Sequence, residues 1–235
     1  MWSGIPGGNC GRGTVEAVDP SCRQGRRPAH PGNPRDRFVR ITGGYLRGRA
    51  VSVPRGSLDI RPAMDRMRES IFAVLGDLSG KSFLDLFAGS GILALEASSR
   101  GAGPVVCVEK DRDKFPQLLR NVALSERRID CHRMAAELYL KRAKERFSVV
   151  FLDPPFPYGH RAELLSVIAE RSLVEEGGLV LLHYPEEEPP PDQAGCLSTK
   201  DERKYGRSRV RFYVRIPSGE TSRGPDVSDP SGPDS

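Results

Sequence analysis

Four consecutive residues, Asp153-Pro154-Pro155-Phe156, carry the most explicit chemical potential in the chain. They follow Phe147-Ser148-Val149-Val150-Phe151-Leu152, a short aromatic and β-branched run with charge before it and proline after it, the pattern of a buried strand. A strand that ends in this way offers a carboxylate on Asp153, a carbonyl on Pro154 and an aromatic face on Phe156. No regular ladder continues past that carbonyl, because Pro155 has no N–H. Two acceptors and a ring suit a flat heterocycle with an exocyclic amine. Each N–H of the amine finds an oxygen, and the ring finds a surface to stack on. Taken alone, the tetrapeptide reads more readily as a proline-stiffened turn with Phe156 in the core, since short motifs recur by chance. The rest of the chain changes that balance.

A second cluster lies upstream. Phe83-Leu84-Asp85-Leu86-Phe87-Ala88-Gly89-Ser90-Gly91 reads as a strand running into a glycine turn that opens a helix. Glycines let the backbone approach a ligand closely, and a helix N-terminus favours a carboxylate or phosphate. The spacing is not the Gly-x-Gly-x-x-Gly of dinucleotide enzymes. Asp85, Phe87, Ala88, Gly89, Ser90 and Gly91 instead resemble motif I of S-adenosylmethionine-dependent methyltransferases. Glu109 ends the next strand, where a carboxylate can take both hydroxyls of a ribose. A strand-end charge is commonplace by itself, but here it follows the glycine turn by one βαβ unit. The expected cofactor is therefore S-adenosyl-L-methionine, and the expected chemistry is direct displacement. An exocyclic amine is a poor nucleophile because its lone pair is delocalised into the ring. Hydrogen bonds to the Asp153 carboxylate and the Pro154 carbonyl would let the nitrogen pyramidalise and aim its lone pair along the methyl–sulfur axis. Positioning of this kind supplies ~7–11 kcal/mol. Asp153, Pro154 and Phe156 form the expected catalytic set, with Phe156 stacking on the target base.

These clusters need strand ends side by side. Between Lys81 and Tyr184 the sequence predicts strands 81–87, 104–109, 128–133, 147–152 and 178–184, alternating with helices 91–99, 111–124, 135–145 and 161–172. Such alternation means right-handed βαβ units and a parallel sheet with helices on both faces. Ligands bind such sheets at the carboxyl ends of strands, where the strand order reverses. The fold class is α/β: a Rossmann-like, mostly parallel, doubly wound sheet. Residues 185–200, which include Pro185-Glu186-Glu187-Glu188-Pro189-Pro190-Pro191, read as an exposed connection. Residues 202–215 read as a C-terminal antiparallel hairpin turning at Gly206, with Val210, Phe212 and Val214 facing in.

Upstream of the alternating region, Phe38 to Val53 has the pattern of a small hairpin, with Gly43-Gly44 and Arg47-Gly48 able to accept positive φ. Its arginines Arg40, Arg47 and Arg49 cannot all be buried and make a basic surface. An amphipathic helix follows within Ile60–Leu75, with Met64, Met67, Ile71, Val74 and Leu75 at helical spacing. Arg61, Arg66 and Arg68 lie on or near it. A solvated charged face and a set of phosphate contacts fit these arginines about equally. Residues 1–36 and 217–235 are rich in glycine, proline and charge without hydrophobic period, so both ends are expected to be disordered. The domain reading is thus an extension at 1–36, a hairpin and helix at 37–80, the main domain at 81–216 and a tail at 217–235.

The 235 residues carry a formal charge of +5, which permits an anionic partner without demanding one. Cys10, Cys22, Cys107, Cys131 and Cys196 are odd in number and contain no Cys-x-x-Cys, which argues for free thiols and against a zinc site or disulfide framework. His30, His132, His160 and His183 are scattered and read as structural or solvated. No apolar run is long enough for a membrane span, and no signal peptide is evident. No membrane partner is expected, and the expected location is cytoplasmic.

From Arg40 to about Arg215 the chain resembles the bacterial 16S ribosomal RNA guanine-N2 methyltransferases of the RsmD type. The resemblance rests on motifs in order: Arg40-Ile41-Thr42-Gly43-Gly44, Leu46-Arg47-Gly48-Arg49, Ile60-Arg61-Pro62, Asp65-Arg66-Met67-Arg68-Glu69-Ser70-Ile71-Phe72, the Asp85 and Asp153 stretches, and Glu96-Ala97-Ser98-Ser99-Arg100-Gly101-Ala102. It implies a class I methyltransferase fold and methylation of a guanine amine in 16S rRNA, presented on an assembled or partly assembled 30S particle. It also implies RNA contacts from Arg40, Arg47, Arg49, Arg61, Arg66 and Arg68, and a cofactor adenine near Met134 and Ala135. A monomer is expected. Where relatives often carry a hydroxyl after Arg-Pro, this chain has Arg61-Pro62-Ala63-Met64. Where a polar residue usually follows the third strand, it has His132-Arg133-Met134-Ala135. Adenine-N6 methylation of DNA is the nearest alternative, since Asp-Pro-Pro-Phe serves an adenine amine equally well. A non-catalytic RNA-binding protein on the same scaffold is another.

Overall fold

The computed structural model describes residues 36–54 and 62–217. Expectations for residues 1–35, Arg61 and 218–235 fall outside them. An antiparallel hairpin of β1 (Asp36–Arg40) and β2 (Ala50–Pro54) precedes helix α1 (Pro62–Leu75). Then follow β3 (Phe83–Leu86), α2 (Ile92–Ser99), β4 (Val105–Val108), α3 (Phe115–Val122), β5 (Ile129–His132) and α4 (Ala136–Arg142). The chain continues through β6 (Phe147–Leu152), α5 (Arg161–Glu170), β7 (Val174–Pro185), β8 (Gln193–Ala194), β9 (Leu197–Tyr205) and β10 (Ser208–Arg215). The main sheet has the order β5-β4-β3-β6-β7-β10-β9-β8. Its first five strands are parallel, and β10 is antiparallel to both β7 and β9. The order reverses between β3 and β6, which sets the glycine turn beside the Asp153 motif.

Both faces of the central strands are covered, so both sets of alternating side chains are apolar. Leu84, Leu86, Val150, Leu152, Val180 and Leu182 pack in the core that holds α4 and α5 residues. Phe83, Val149, Phe151 and Leu181 pack in the other, with residues of α1, α2 and α3. The two-residue period carries Asp85, Asp153 and His183 onto the side of this second core, the side that α1 covers.

The N-terminal hairpin is joined to α2 by a dense set of polar contacts. Glu96 is fully buried, and its Oε1 accepts the Thr42 backbone N–H at 2.5 Å and the Thr42 hydroxyl at 2.8 Å. Arg100 Nε lies 3.3 Å from Glu96 Oε2 and Arg68 Nε 3.4 Å from Oε1, so two cations balance the buried charge. Ser99 Oγ donates to the Gly43 carbonyl at 2.6 Å and accepts the Leu46 N–H at 2.8 Å. Gly44 has φ +74°, and a Cβ there would lie 1.8 Å from the Ser99 carbonyl oxygen. The Arg40–Gly44 and Glu96–Ala102 motifs are thus two halves of one joint.

Several element bounds shift from the sequence reading, and three expectations are corrected. Val74 is exposed rather than on the buried stripe of α1, and Phe72 takes that place. Residues 185–200 are not simply an exposed connection: they contain β8 and the start of β9, and Pro190 is buried. Arg211 Nη1 donates to the Pro190 carbonyl at 2.6 Å, and the Tyr213 hydroxyl donates to the Pro191 carbonyl at 2.8 Å. On β10, Val210 and Phe212 face a core as expected, but Val214 is half-buried and Tyr213 is buried on the opposite face. A strand with both faces covered has no single inward side. Among the described residues, no helix is long and apolar enough to cross a membrane.

Gly44→Ala should destabilise the protein by at least ~2 kcal/mol, since it combines a positive-φ penalty with a backbone clash. Gly48→Ala, also at positive φ but with open space around it, should cost about 1 kcal/mol. Urea unfolding of the two variants measures the difference.

Candidate active site

A cavity of about 410 Å³ opens at the carboxyl ends of β3, β4, β6 and β7, within the usual size of a small-molecule site. Its walls include the glycine turn, Glu109, the Asp153 motif, His183 and, from the N-terminal elements, Val39, Val53 and the first two turns of α1. Asp85, Phe87, Ala88, Gly89, Ser90, Glu109, Asp153, Pro154 and Phe156 all line it.

The glycine turn is held in an unusual backbone path. Phe87, Gly89 and Gly91 have φ of 69°, 54° and 77°. A Cβ on Gly91 would meet Leu118 Cδ1 at 2.5 Å, so this glycine is required by the packing of α3. Gly89 is different: its Cβ position is open, which leaves the backbone free to approach a ligand. Glu109 fixes the turn from the neighbouring strand. Its Oε2 accepts the Gly89 N–H and its Oε1 the Asp111 N–H, both at 2.8 Å. Each oxygen keeps a further lone pair for a ribose hydroxyl.

Asp85 is 1% exposed, and among the described residues neither carboxylate oxygen has a hydrogen-bond partner of normal geometry, although the Ala94 backbone lies near enough to lower its pKa. Burial, then the nearby Asp153 and Glu109 charges, pushes its carboxyl well above the ordinary carboxylate range. A buried acid in this state calls for a cationic partner. The ammonium of S-adenosyl-L-methionine supplies one, and the glycine cradle and Glu109 suit its remaining polar groups, so the residues present fit this cofactor. Of the other expected cofactor residues, Gly91, Met134 and Ala135 are not on the cavity wall: Gly91 packs on Leu118, Met134, like Phe87, packs against the core formed with α4 and α5, and Ala135 precedes α4.

At the other end of the cavity, Asp153 Oδ1 lies 2.7 Å from His183 Nδ1. Sequence pattern alone reads His183 as structural or solvated; the structure sets it on the cavity wall against Asp153. His183 is 2% exposed, and it stands on β7 one residue past the Leu152–Leu182 register pair, directly across from Asp153. Cross-strand register is a tertiary fact, and no local pattern announces it. The Pro154 carbonyl accepts no hydrogen bond among the described residues, as expected from Pro155. Phe156 is 39% exposed and makes a T-shaped contact with His183 at 5.6 Å. The turn is clamped by Arg161, which is buried and donates to the Phe156 carbonyl at 2.6 Å and to Glu188 Oε2 at 2.6 Å. Tyr158 adds a hydrogen bond to Glu137 and an edge contact with Phe87.

The arginines divide. Arg40, Arg47, Arg49 and Arg66 are exposed. Arg68 is not part of that surface: it is buried, donates to Asp65 Oδ1 at 3.0 Å and to the Arg40 carbonyl at 3.1 Å, and balances Glu96. Its place on the buried side of α1 turns an expected phosphate contact into an internal ion pair.

Residues 39–214 match the family described as Conserved hypothetical protein 95. Ribosomal RNA small subunit methyltransferase D of Escherichia coli K12 is 32% identical over 201 residues, which span 83% of this chain and 98% of that one. The chain belongs to the ribosomal RNA small subunit methyltransferase D family. The Haemophilus influenzae member is 34% identical over 161 residues, spanning 64% of this chain and 81% of its own. A hypothetical protein of Thermus thermophilus has a solved structure that superposes with a TM-score of 0.64 at 34% identity, covering 76% of this chain and 99% of that one. A more distant structure, SMU.776 in complex with SAH, shares the fold at 14% identity and a TM-score of 0.61, over 77% of this chain and 56% of that one.

Asp85→Asn separates stability from binding. A carboxyl whose folded pKa is raised favours folding most below its unfolded value of 3.8, and stability falls as pH rises from there toward the folded value. At neutral pH the unliganded Asn variant should therefore melt higher, by ~2–4 °C for each ~1 kcal/mol relieved. Its affinity for S-adenosyl-L-methionine should fall at least about tenfold. Calorimetric melting and titration of the same preparation check both.

Proposed function

We propose that this protein transfers a methyl group from S-adenosyl-L-methionine to the exocyclic N2 of a guanine in 16S rRNA of the small ribosomal subunit. The observation that carries this reading is the shared cavity: an amine-binding set (Asp153, Pro154, Phe156) and a cofactor-binding set (Asp85, the glycine turn, Glu109) line one space. The family name supports an rRNA substrate. The cofactor, when bound, supplies an electrophilic methyl on a sulfonium. Asp85 would accept its ammonium and Glu109 its ribose, with the Phe87–Gly91 backbone closing around it.

The chain's own residues then handle the amine. His183 engages Asp153 Oδ1, which orients the carboxylate and leaves Oδ2 for one N–H of the target. The Pro154 carbonyl takes the other, and Phe156 stacks on the base. Held in this way, the nitrogen lone pair would face the methyl donor, whose chemistry would be displacement at the methyl carbon with sulfur as the leaving group, and Asp153 would take the excess proton. Asp153 need not be a strong base, because the nitrogen acidifies only as it gains the methyl. His183 is a positioning residue here, because it acts through Asp153. Arg40, Arg47, Arg49 and Arg66 contact RNA phosphates beside the site, and the substrate is an assembled or partly assembled 30S particle.

The test is a transfer assay with labelled S-adenosyl-L-methionine offered to 30S particles lacking the modification, naked 16S RNA and duplex DNA. Label recovered as N2-methylguanine in the particle is the expected result; label in adenine of DNA would overturn the reading. Asp153→Ala should bind cofactor normally and lose at least ~100-fold in transfer rate. His183→Leu should lower kcat with little change in KM, as expected of a residue that holds Asp153 rather than RNA. Arg47→Ala and Arg49→Ala should weaken particle binding and reduce the slope of log K against log salt by about one for each phosphate no longer neutralised. Unchanged affinity would return those arginines to a solvated surface.

A further inference from the structure

Two cavity carboxylates have no task in this scheme, Asp65 and Asp111, and Asp111 Oδ1 already accepts the Asp113 and Lys114 N–H groups. Asp65, in the first turn of α1, lines the same space as Asp153 and Phe156. Its Oδ1 receives Arg68 Nη1 at 3.0 Å, and Oδ2 has no hydrogen-bond partner among the described residues. The Asp65 side chain is 39% exposed where that of Arg68 is 7%, so the carboxylate, not the guanidinium, is the group a ligand reaches. Arg68 is itself fixed by the Arg40 carbonyl and Glu96, which holds Asp65 in place from behind.

The direction of α1 matters. Its later residues Ile71, Phe72 and Leu75 lie in the core with Phe83, at the start of β3, and Phe72 stacks on Phe83 at 6.2 Å. Its first turn therefore points to the carboxyl ends of the strands, above the side from which Asp85, Asp153 and His183 project.

Resting on the function proposed above, we infer that Asp65 reads the N1–H of the target guanine and selects guanine over amine-bearing bases without that proton. On the Watson–Crick edge of guanine the group next to the N2 amine is N1–H, a donor, whereas its other neighbour, N3, carries a lone pair. With the amine on Asp153 and Pro154 and the ring on Phe156, that donor needs a further acceptor on the same wall, and the open Oδ2 of Asp65 supplies one. An adenine presenting its N6 amine to the same set turns a ring-nitrogen lone pair toward Asp65, and a carboxylate facing a lone pair leaves both unsatisfied. Asp-Pro-Pro-Phe accepts any exocyclic amine; Asp65 is the specificity-determining residue that sorts among them.

The test uses 30S particles reconstituted with ligated 16S RNA carrying either guanine or 2-aminopurine at the position the unaltered enzyme methylates. 2-Aminopurine keeps the C2 amine but has a lone pair at N1. The unaltered enzyme should favour guanine by about 10- to 100-fold in kcat/KM. In Asp65→Asn, whose amide can donate to that lone pair, the preference should shrink at least about tenfold, with S-adenosyl-L-methionine affinity unchanged. Comparing ratios between enzymes cancels the intrinsic reactivity of the analogue's amine and any general loss from the substitution. Equal losses on both templates, weakened cofactor binding, or no guanine preference in the unaltered enzyme would each overturn the inference. If the unaltered enzyme methylates no guanine in the particle, the failure belongs to the proposed function, and the inference falls with it.

Discussion

The buried carboxylate of Glu96 is the contact on which the site's geometry depends. A charge at zero exposure is tolerable only when fully paired. Here it is met by a backbone N–H, a hydroxyl and two guanidinium groups, from the hairpin, α1 and α2 together. Removing any one partner leaves a buried charge short of compensation, so the three elements are held to one arrangement. That arrangement lays α1 across the sheet and makes its first two turns a wall of the cavity. The N-terminal residues are therefore part of the active site's architecture as well as a basic surface beside it.

Within the cavity the electrostatics run the other way. Asp85 has no side-chain partner among the described residues, and burial, then the Asp153 and Glu109 charges, pushes its carboxyl upward. Such a site is costly in the unliganded protein and becomes favourable when a cation enters, which is the usual sign of binding chemistry rather than of stability. The surroundings are built to withstand this. Phe87 keeps a positive φ, Gly91 admits the side chain of Leu118, and Glu109 ties Gly89 to the next strand. The acceptor turn is equally constrained, with Arg161 joining the Phe156 carbonyl to Glu188 on the loop after β7.

The C-terminal strands brace that loop. Glu202 on β9 accepts from Arg209 at 2.7 Å and from Arg211 at 2.8 Å, and from the Tyr184 hydroxyl. Burial alone would raise its carboxyl, but the Tyr184, Arg211 and Arg209 hydrogen bonds outweigh it and hold the pKa at about 2. Arg211 also reaches Pro190 and Asp192, so the strand pair and the proline-rich segment are one unit. The antiparallel addition to the sheet thus supports the segment that carries Glu188 and, through Arg161, the Asp153–Phe156 turn.

The local chemistry was legible in the sequence because it is written in local terms. A strand ending in Asp-Pro-Pro-Phe, a glycine turn after Asp85 and a glutamate one βαβ unit later each follow from chain geometry over a few residues, and all three line the cavity. The alternation of strands and helices, the hairpin glycines and the position of α1 were readable for the same reason. What depended on register and packing was not. His183 met Asp153 only through the pairing of β6 with β7. Arg68 looked like its exposed neighbours until α1 turned it toward Glu96. Met134 and Ala135 fell outside the cavity, and the proline-rich segment was captured by Arg211 from a distant strand. By itself the sequence determined which groups exist and which short backbone paths they follow. Only the tertiary structure decided which charges are buried, which are paired and which remain free to act, because burial and pairing arise between segments far apart in the chain.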